Sequence, residues 1–429
     1  MPAVNIGIVG LGVVGSGVYQ LLSEHQKDIE NKSGVRINLR WACDLDGRKK
    51  DQLRIPDDIF TDSVDRVLDD DSVDLVVELI GGTDIAKEIT LRAIERKKHV
   101  VTANKALIAH HGKSIFEAVV NNRVEFGFEA SVGGGIPIIK TLLEGLVGNE
   151  INKIVGIVNG TTNFILTMMT KENIDFIRAL KIAQEKGFAE SDPTLDISGG
   201  DASHKITILA SLAFKSWVEL SGVFVEGIDK ISINDIKYAG ELGFVLKLLA
   251  IAEKVDSGII VKVHPSLVSS NNPLAYINWE NNAIVVDSDY LGTSMYYGKG
   301  AGSRPTASAI VADIVDIALR IQNRDCYNPS RYSFFRRVTQ IPFGESISRY
   351  YFRFNVLDRP GMLAKIAGVL GKNNISIASV IQKESDEVGE YVPLVLMTHT
   401  AKERDVQKAI SEIDRFPEIK ERSIIIRVV

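Results

Sequence analysis

At 429 residues, the chain is too long for a single hydrophobic core, and about 150 residues per domain predicts two to four domains. Its 45% hydrophobic and 24% charged residues, with a net charge of −5 from interspersed acids and bases, are ordinary for a globular protein and leave nucleic acid no long basic run to bind. Two cysteines make no disulfide scaffold, no charged leader precedes the first apolar run, and no stretch reaches the roughly 18 to 20 apolar residues of a membrane span, so a cytoplasmic protein without a membrane partner is expected.

Residues 4–9 read as a short apolar strand, followed by a glycine-rich turn and an amphipathic stretch through residue 22. Residues 38–43, 73–79 and 99–103 are further strand-like runs, and 84–96 has helical spacing. Strand and helix in alternation imply a parallel, doubly wound α/β sheet, with the strands' carboxyl ends along one crevice. Near residue 136 the character changes. A helix over 136–147, opened by Pro137, is followed by a strand at 151–158 and helical patterns at 164–170, 175–186, 201–214 and 236–255. A strand at 259–264 completes the signals of an α+β substrate and dimerisation domain. Residues 306–320 form an apolar helix pattern that can return to the first domain.

From residue 348 the order is strand 350–357, helix 361–372, strands 377–382 and 391–400, helix 403–414 and strand 423–429. That βαββαβ order is a ferredoxin-like unit. The expected domains are therefore 1–135 with 305–325 returning to it, 136–304, a connector at 326–347, and 348–429.

Gly10, Gly12 and Gly15 spell G-x-G-x-x-G where the first strand meets a helix that begins with Val13 and Val14. The first glycine permits the tight turn, the second lets backbone approach a pyrophosphate, and the third allows close helix–strand packing. The helix N-terminus adds free N–H groups and a positive dipole end. Asp44 closes the second strand-like run, where a carboxylate would hold a ribose 2′-hydroxyl, but Arg48, Lys49 and Lys50 follow and could neutralise a 2′-phosphate. These signals leave NAD and NADP both open, and Asp44, Asp46 and Gly47 can equally be turn residues.

Three polar segments fall where the crevice should be. Thr102-Ala103-Asn104-Lys105-Ala106 follows a strand directly, which points Lys105 toward the cleft. Glu129 through Ile136 reads Glu-Ala-Ser-Val-Gly-Gly-Gly-Ile, a bend able to present carbonyls or amides to an ion or a nicotinamide ring. Residues 187–205 gather four carboxylates, a histidine and a lysine. Asp201 and Lys205, four apart at the start of a helix, share one face with the acid in the favoured N-terminal position. The apolar continuation of that helix makes them a catalytic pair rather than a solvated one. His204 points to another face, where capping or packing suits it better.

With these stretches, Asn159-Gly160-Thr161-Thr162-Asn163, and Gly300-Ala301-Gly302 before Pro305, the sequence resembles homoserine dehydrogenase over essentially its whole length. The resemblance implies NAD(P)-dependent interconversion of L-homoserine and L-aspartate 4-semialdehyde in threonine, methionine and isoleucine biosynthesis. It makes Lys205 the acid/base, Asp201 its carboxylate partner, and Lys105 the lysine near the nicotinamide and the reacting oxygen. Glu190 would grip the substrate ammonium, with Asp196 supporting that pocket. Glu129 and the carbonyls of Val132, Gly134 and Ile136 would hold a monovalent cation, usually sodium, and Gly302 would touch the cofactor. Where many members carry an arginine for the NADP phosphate, this chain has Cys43 and Asp44, which leaves strict NADP preference in question.

The loop Asp358-Arg359-Pro360-Gly361, with Asn373-Asn374 closing the helix behind it, resembles an ACT domain. Such domains bind an amino acid, here threonine by family resemblance, commonly at a dimer interface; a homodimer or homotetramer is expected. Two rivals remain. A 3-phosphoglycerate dehydrogenase also joins a dinucleotide domain to an ACT domain but uses a catalytic histidine and an interrupted nucleotide fold. A non-catalytic, amino-acid-responsive nicotinamide sensor would keep the binding modules and dispense with Glu190, Asp201 and Lys205.

Overall fold

The first apolar run folds as the strand Ala3–Val9, with Ile6 and Ile8 fully buried, and the chain turns at Gly10 into the helix Val13–Ser33. The computed structural model describes residues 3–323, 327–382 and 391–429. Residues 1 and 2 of the expected first domain, 324 and 325 of its return, and 326 of the connector lie outside the described residues. The chain forms two compact units. One comprises Met1–Ile154, His204–Leu220 and Asn282–Val338; the other comprises Val155–Ser203, Ser221–Asn281 and Thr339–Val429.

In the first unit, six parallel strands run in the order Phe60–Thr61, Arg36–Cys43, Ala3–Val9, Leu75–Glu78, His99–Thr102 and Phe126–Gly127. The order reverses beside Ala3–Val9, so a ligand crevice opens there at the carboxyl ends, the Rossmann arrangement. Val4, Ile6, Ile8, Leu75 and Val77 share a core with Val18 and Leu22 of the first helix. Ile310, Ile314 and Ile317 of the helix Ser303–Gln322 complete that core. Each such side chain stabilises by roughly 1.5–3 kcal/mol when fully buried.

Two expected helices differ. Residues 136–147 hold only an α-helical turn, Ile138–Lys140, and a π-helical turn, Thr141–Gly145. Here the Glu129 carboxylate takes the Ile139 and Lys140 amides, at 2.8 Å each, so a side chain from outside the segment fixes the local winding. Residues 236–255 are split: the helix Ile233–Glu241 ends, Gly243 turns with φ +79°, and Phe244–Val255 is a strand buried along most of its length. A continuous apolar run carries no period, so strand and helix look alike in it. The strands Asn281–Ser288 and Gly292–Lys299 were not among the expected elements.

In the second unit the paired strands Phe244–Val255 and Gly258–Ser269 are antiparallel, and Gly258–Ser269 then pairs in parallel with Ile424–Val428. The sheet continues through Ile347–Leu357, Tyr391–Thr398 and Ile377–Gln382, all antiparallel. The C-terminal ferredoxin-like unit is thus not tethered by a connector alone; its last strand extends its neighbour's sheet. Its own core gathers Tyr350, Phe352, Phe354, Ile366, Leu370, Val406 and Ile410 from the sheet and its two helices, Met362–Lys372 and Glu403–Ile413. Among the described residues no helix is long and apolar enough to cross a membrane.

Candidate active site

The glycine turn divides its labour among three positions. Gly10 has φ +99°, and a Cβ there would lie 2.7 Å from the Leu79 carbonyl oxygen. A Cβ on Gly15 would lie 1.9 Å from the Gly10 carbonyl oxygen, so only glycine lets helix and turn meet. Gly12 has no other atom within 4 Å of where its Cβ would stand, and the helix beginning Val13-Val14 starts behind that open space. The cradle fits a dinucleotide pyrophosphate.

Asp44 props this turn. Its Oδ2 accepts the Leu11 amide at 2.6 Å, and its Oδ1 accepts the Asp46 amide at 2.9 Å. Arg48 is exposed and forks onto Asp46, Nε to Oδ1 at 2.8 Å and Nη2 to Oδ2 at 2.9 Å. Burial, with Asp44 and Asp62 nearby, pushes the Cys43 thiol up to about 12.

One acid in the crevice carried no motif and went unnoticed in the sequence. Glu78, at the carboxyl end of its strand, is fully buried. Its Oε1 accepts the Ile80 amide at 2.8 Å and its Oε2 accepts the Thr102 hydroxyl at 2.6 Å. Burial pushes this carboxyl up to about 7, against the pull of those two hydrogen bonds. Thr102 Oγ1 accepts the Asn104 amide at 3.0 Å, and Asn104 caps the helix Lys105–Asn122 by accepting the Leu107 amide. Lys105 therefore stands, half-buried, on the first residue of a helix whose start is tied to the neighbouring strand.

The Glu129–Ile136 bend is also buried. Glu129 donates its amide to Asp313 Oδ2 at 2.8 Å while its carboxylate accepts the two amides described above. Desolvation pushes Glu129 up to about 7 and Asp313 up to about 6. Val132 and Ile136 are buried; Gly133 and Gly134 bend the chain with φ +75° and +57°. Gly135 donates its amide to the Lys299 carbonyl at 3.1 Å. Gly302 precedes the helix Ser303–Gln322 with φ +114°. Among the described residues no group of three or more His, Cys, Asp or Glu could hold a metal.

In the second unit a single asparagine gathers the acids. Asn159 caps the helix Gly160–Glu172 through its Oδ1, which accepts the Thr162 amide at 2.8 Å. Its Nδ2 donates to Asp196 Oδ1 at 2.6 Å and to Asp201 Oδ2 at 2.8 Å. Two carboxylates are thus held side by side by one neutral donor. Asp201 lies in the first turn of the helix Gly200–Phe214, and Lys205 follows one turn later, 8% exposed. His204, also buried, lies edge-on to His110 at 5.1 Å. Glu190 is exposed on the loop before Asp196, and the Asn159 amide donates to Asp196 and Asp201. Asn159 belongs to a motif the sequence displays, yet nothing in that motif tells which acids its amide reaches.

The C-terminal loop lines a cavity of about 350 Å³ with Asp358, Arg359, Pro360, Gly361, Met362 and Gln382. Gly361 (φ +91°) caps the helix Met362–Lys372, which begins beside the cavity. Asn374 lies beyond the opposite end of that helix and does not line the cavity.

Comparison with known proteins adds three matches to family models. Residues 10–129 match the homoserine dehydrogenase NAD-binding domain, 137–315 the homoserine dehydrogenase domain and 350–418 the ACT domain. The homoserine dehydrogenase of Neisseria gonorrhoeae is 42% identical over 100% of this chain and 99% of its own, and that of Pseudomonas aeruginosa is 40% identical with the same coverage. Among solved structures, a homoserine dehydrogenase from Thiobacillus denitrificans superposes with a TM-score of 0.94 at 38% identity, covering 100% of this chain and 99% of that one. A hyperthermophilic archaeal homoserine dehydrogenase in complex with NADPH gives 0.64 at 28% identity, covering 74% of this chain and 98% of its own.

Proposed function

This chain belongs to the homoserine dehydrogenase family, and from that premise we propose how its own residues carry the reaction. It is an NAD(P)-dependent oxidoreductase that interconverts L-homoserine and L-aspartate 4-semialdehyde, with an ACT domain that fits regulation. The phosphoglycerate dehydrogenase and sensor readings are not favoured.

Bound nicotinamide supplies the hydride chemistry; the protein positions the alcohol and manages its proton. Lys205 takes the proton of the side-chain hydroxyl as the hydride leaves the same carbon, and returns it to the forming alkoxide in the other direction. Asp201, one helical turn away, orients that amine. Lys105, on its tethered helix start, serves the reacting oxygen as a second cation. Glu190 and Asp196 bind the substrate ammonium, and the Asn159 bridge between Asp196 and Asp201 is the observation that carries this reading. A neutral amide between two acids holds them together without itself adding a charge to the site.

Cofactor binding falls to Gly10, Gly12, Val13, Val14 and Gly15 at the phosphates, to Asp44 and Arg48 near the ribose, and to Thr102, Lys105 and Gly302 at the far end. A monovalent cation, sodium, is held by Glu129 and the carbonyls of Val132, Gly134 and Ile136. Threonine is the effector of the cavity lined by Asp358, Arg359, Pro360 and Gly361; Asn374, expected beside them, stands at the far end of the helix and takes no part in that cavity. The protein assembles as a homodimer or homotetramer; exposed Met295 and Tyr297 on one face of the strand Gly292–Lys299, with Tyr290 and Leu291 in the preceding turn, support an interface.

The test follows reduced nicotinamide by absorbance with homoserine, run separately with NAD and NADP. Lys205→Ala is expected to lower turnover by at least about 100-fold, the usual scale for acid/base catalysis, while cofactor affinity changes little. Turnover near that of the wild type removes Lys205 from the role.

A further inference from the structure

Among the described residues the largest fully buried side chain is Arg427, on the last strand of the C-terminal ferredoxin-like unit. It donates from Nε to Glu403 Oε2 at 3.1 Å and from Nη2 to Glu403 Oε1 at 2.6 Å, and Tyr350 donates its hydroxyl to the same carboxylate at 3.0 Å. The remaining edge of the guanidinium, through Nη1, reaches out of the ACT core to Glu226. Phe224 and Phe343 stack at 3.7 Å between centroids, and the guanidinium lies over both rings, at 5.5 and 5.4 Å. Arginine does not lose its proton in a protein. Glu403 neutralises the guanidinium within the core, and Glu226 adds a second charge-assisted hydrogen bond that ties its own chain segment to the same buried group.

The segment that carries Glu226 packs against the turn between Asp196 and Asp201. The Glu226 amide donates to the Val263 carbonyl at 2.8 Å, and the Ile228 amide donates to the Ile197 carbonyl at 2.9 Å. Between them, a Cβ on Gly227 would lie 2.2 Å from the Ile197 carbonyl oxygen and 2.7 Å from Ser198 Cα. On the other side, a Cβ on Gly199 would meet Val225 at 3.1 Å and Val263 at 3.2 Å. Segment 225–228 and turn 197–199 therefore touch with no slack. Asp196 stands immediately before that turn and Asp201 two residues after it, and Asn159 requires both at hydrogen-bond distance. A shift of the 226–228 backbone moves one acid against the other.

We propose that Glu226, clamped by Arg427, is a positioning residue of the substrate site, so that the last strand of the ACT domain supports substrate binding directly. The inference rests on the assignment of Asp196 and Asp201 to that site. A second anchor of the ACT domain supplies the control. Arg353 donates from Nε to Asp235 Oδ1 at 2.7 Å, tying the domain to the cap of the helix Ile233–Glu241 rather than to segment 225–228.

The experiment compares full-length Glu226→Gln, Arg427→Met, Arg427→Lys, Arg353→Met and Asp196→Asn in steady-state kinetics and thermal unfolding. Glu226→Gln and Arg427→Met are expected to raise the homoserine KM by about fivefold or more, leaving the cofactor KM within about twofold, with Arg427→Lys recovering part of the loss. Arg353→Met is expected to lower Tm and leave the homoserine KM in place. Glu226 is 29% exposed on its side chain, so Glu226→Gln decides the matter where Arg427→Met fails to fold. If Asp196→Asn raises the homoserine KM and folded Glu226→Gln does not, this inference fails alone; if Asp196→Asn leaves it unchanged, the substrate-site assignment fails with it.

Discussion

Replacing Glu78 by glutamine tests the electrostatics of the cofactor crevice. The carboxyl has no charged partner among its hydrogen bonds, only the Ile80 amide and the Thr102 hydroxyl, and burial lifts it from 4.5 to about 7. The native state therefore keeps this proton over a range in which the unfolded chain has released it. Stability then falls as pH rises from about 4.5 to about 7 and is level outside that window. Each pH unit of displacement is worth about 1.36 kcal/mol, so this group alone removes about 3 kcal/mol across the window. Glutamine keeps an acceptor for the Ile80 amide and carries no titration. Urea unfolding at half-unit steps from pH 4 to pH 8, followed by tryptophan fluorescence, should show Glu78→Gln gaining about 3 kcal/mol on the wild type between the extremes. Two curves that run parallel across the window would refute the reasoning.

The glycine turn separates fold from binding. Gly12→Ala, with open space around its Cβ, should unfold within about 0.5 kcal/mol of the wild type and bind cofactor at least about tenfold more weakly. Gly15→Ala, driven against the Gly10 carbonyl, should lose about 1–3 kcal/mol of stability as well; calorimetry and nicotinamide fluorescence titration read the two effects. Asn159→Ala removes a helix cap worth about 1 kcal/mol and frees two carboxylates to repel each other, so its homoserine KM should rise far more than its cofactor KM. Glu190→Gln should raise the homoserine KM with kcat little changed; kinetics identical to the wild type would place the ammonium elsewhere.

Several elements were legible because their chemistry is local. Gly10, Gly12 and Gly15 mark a strand–turn–helix junction by backbone requirements that need no distant residue, and the folded turn shows the positive φ expected at Gly10 and the close helix packing expected at Gly15. The βαββαβ order of the C-terminal unit is read from alternation and spacing alone. The strand Phe244–Val255 was not legible, because its buried apolar middle has no period to distinguish strand from helix. Glu78 was passed over as one carboxylate in an apolar strand, since only burial and the Thr102 hydroxyl make it unusual.

By itself the sequence determined the elements whose shape follows from neighbours in the chain: the dinucleotide turn, the alternating strands and helices around it, and the acid-rich entry to the helix Gly200–Phe214. Tertiary structure alone decided which groups from distant segments meet. The Asn159 amide reaches Asp201 across 42 positions, Arg427 reaches Glu226 across 201, and the last strand joins the sheet of Gly258–Ser269. Side-chain spacing carries information over one or two turns of helix or strand, whereas those pairings depend on how packed layers bring remote backbone together, and no local pattern encodes that.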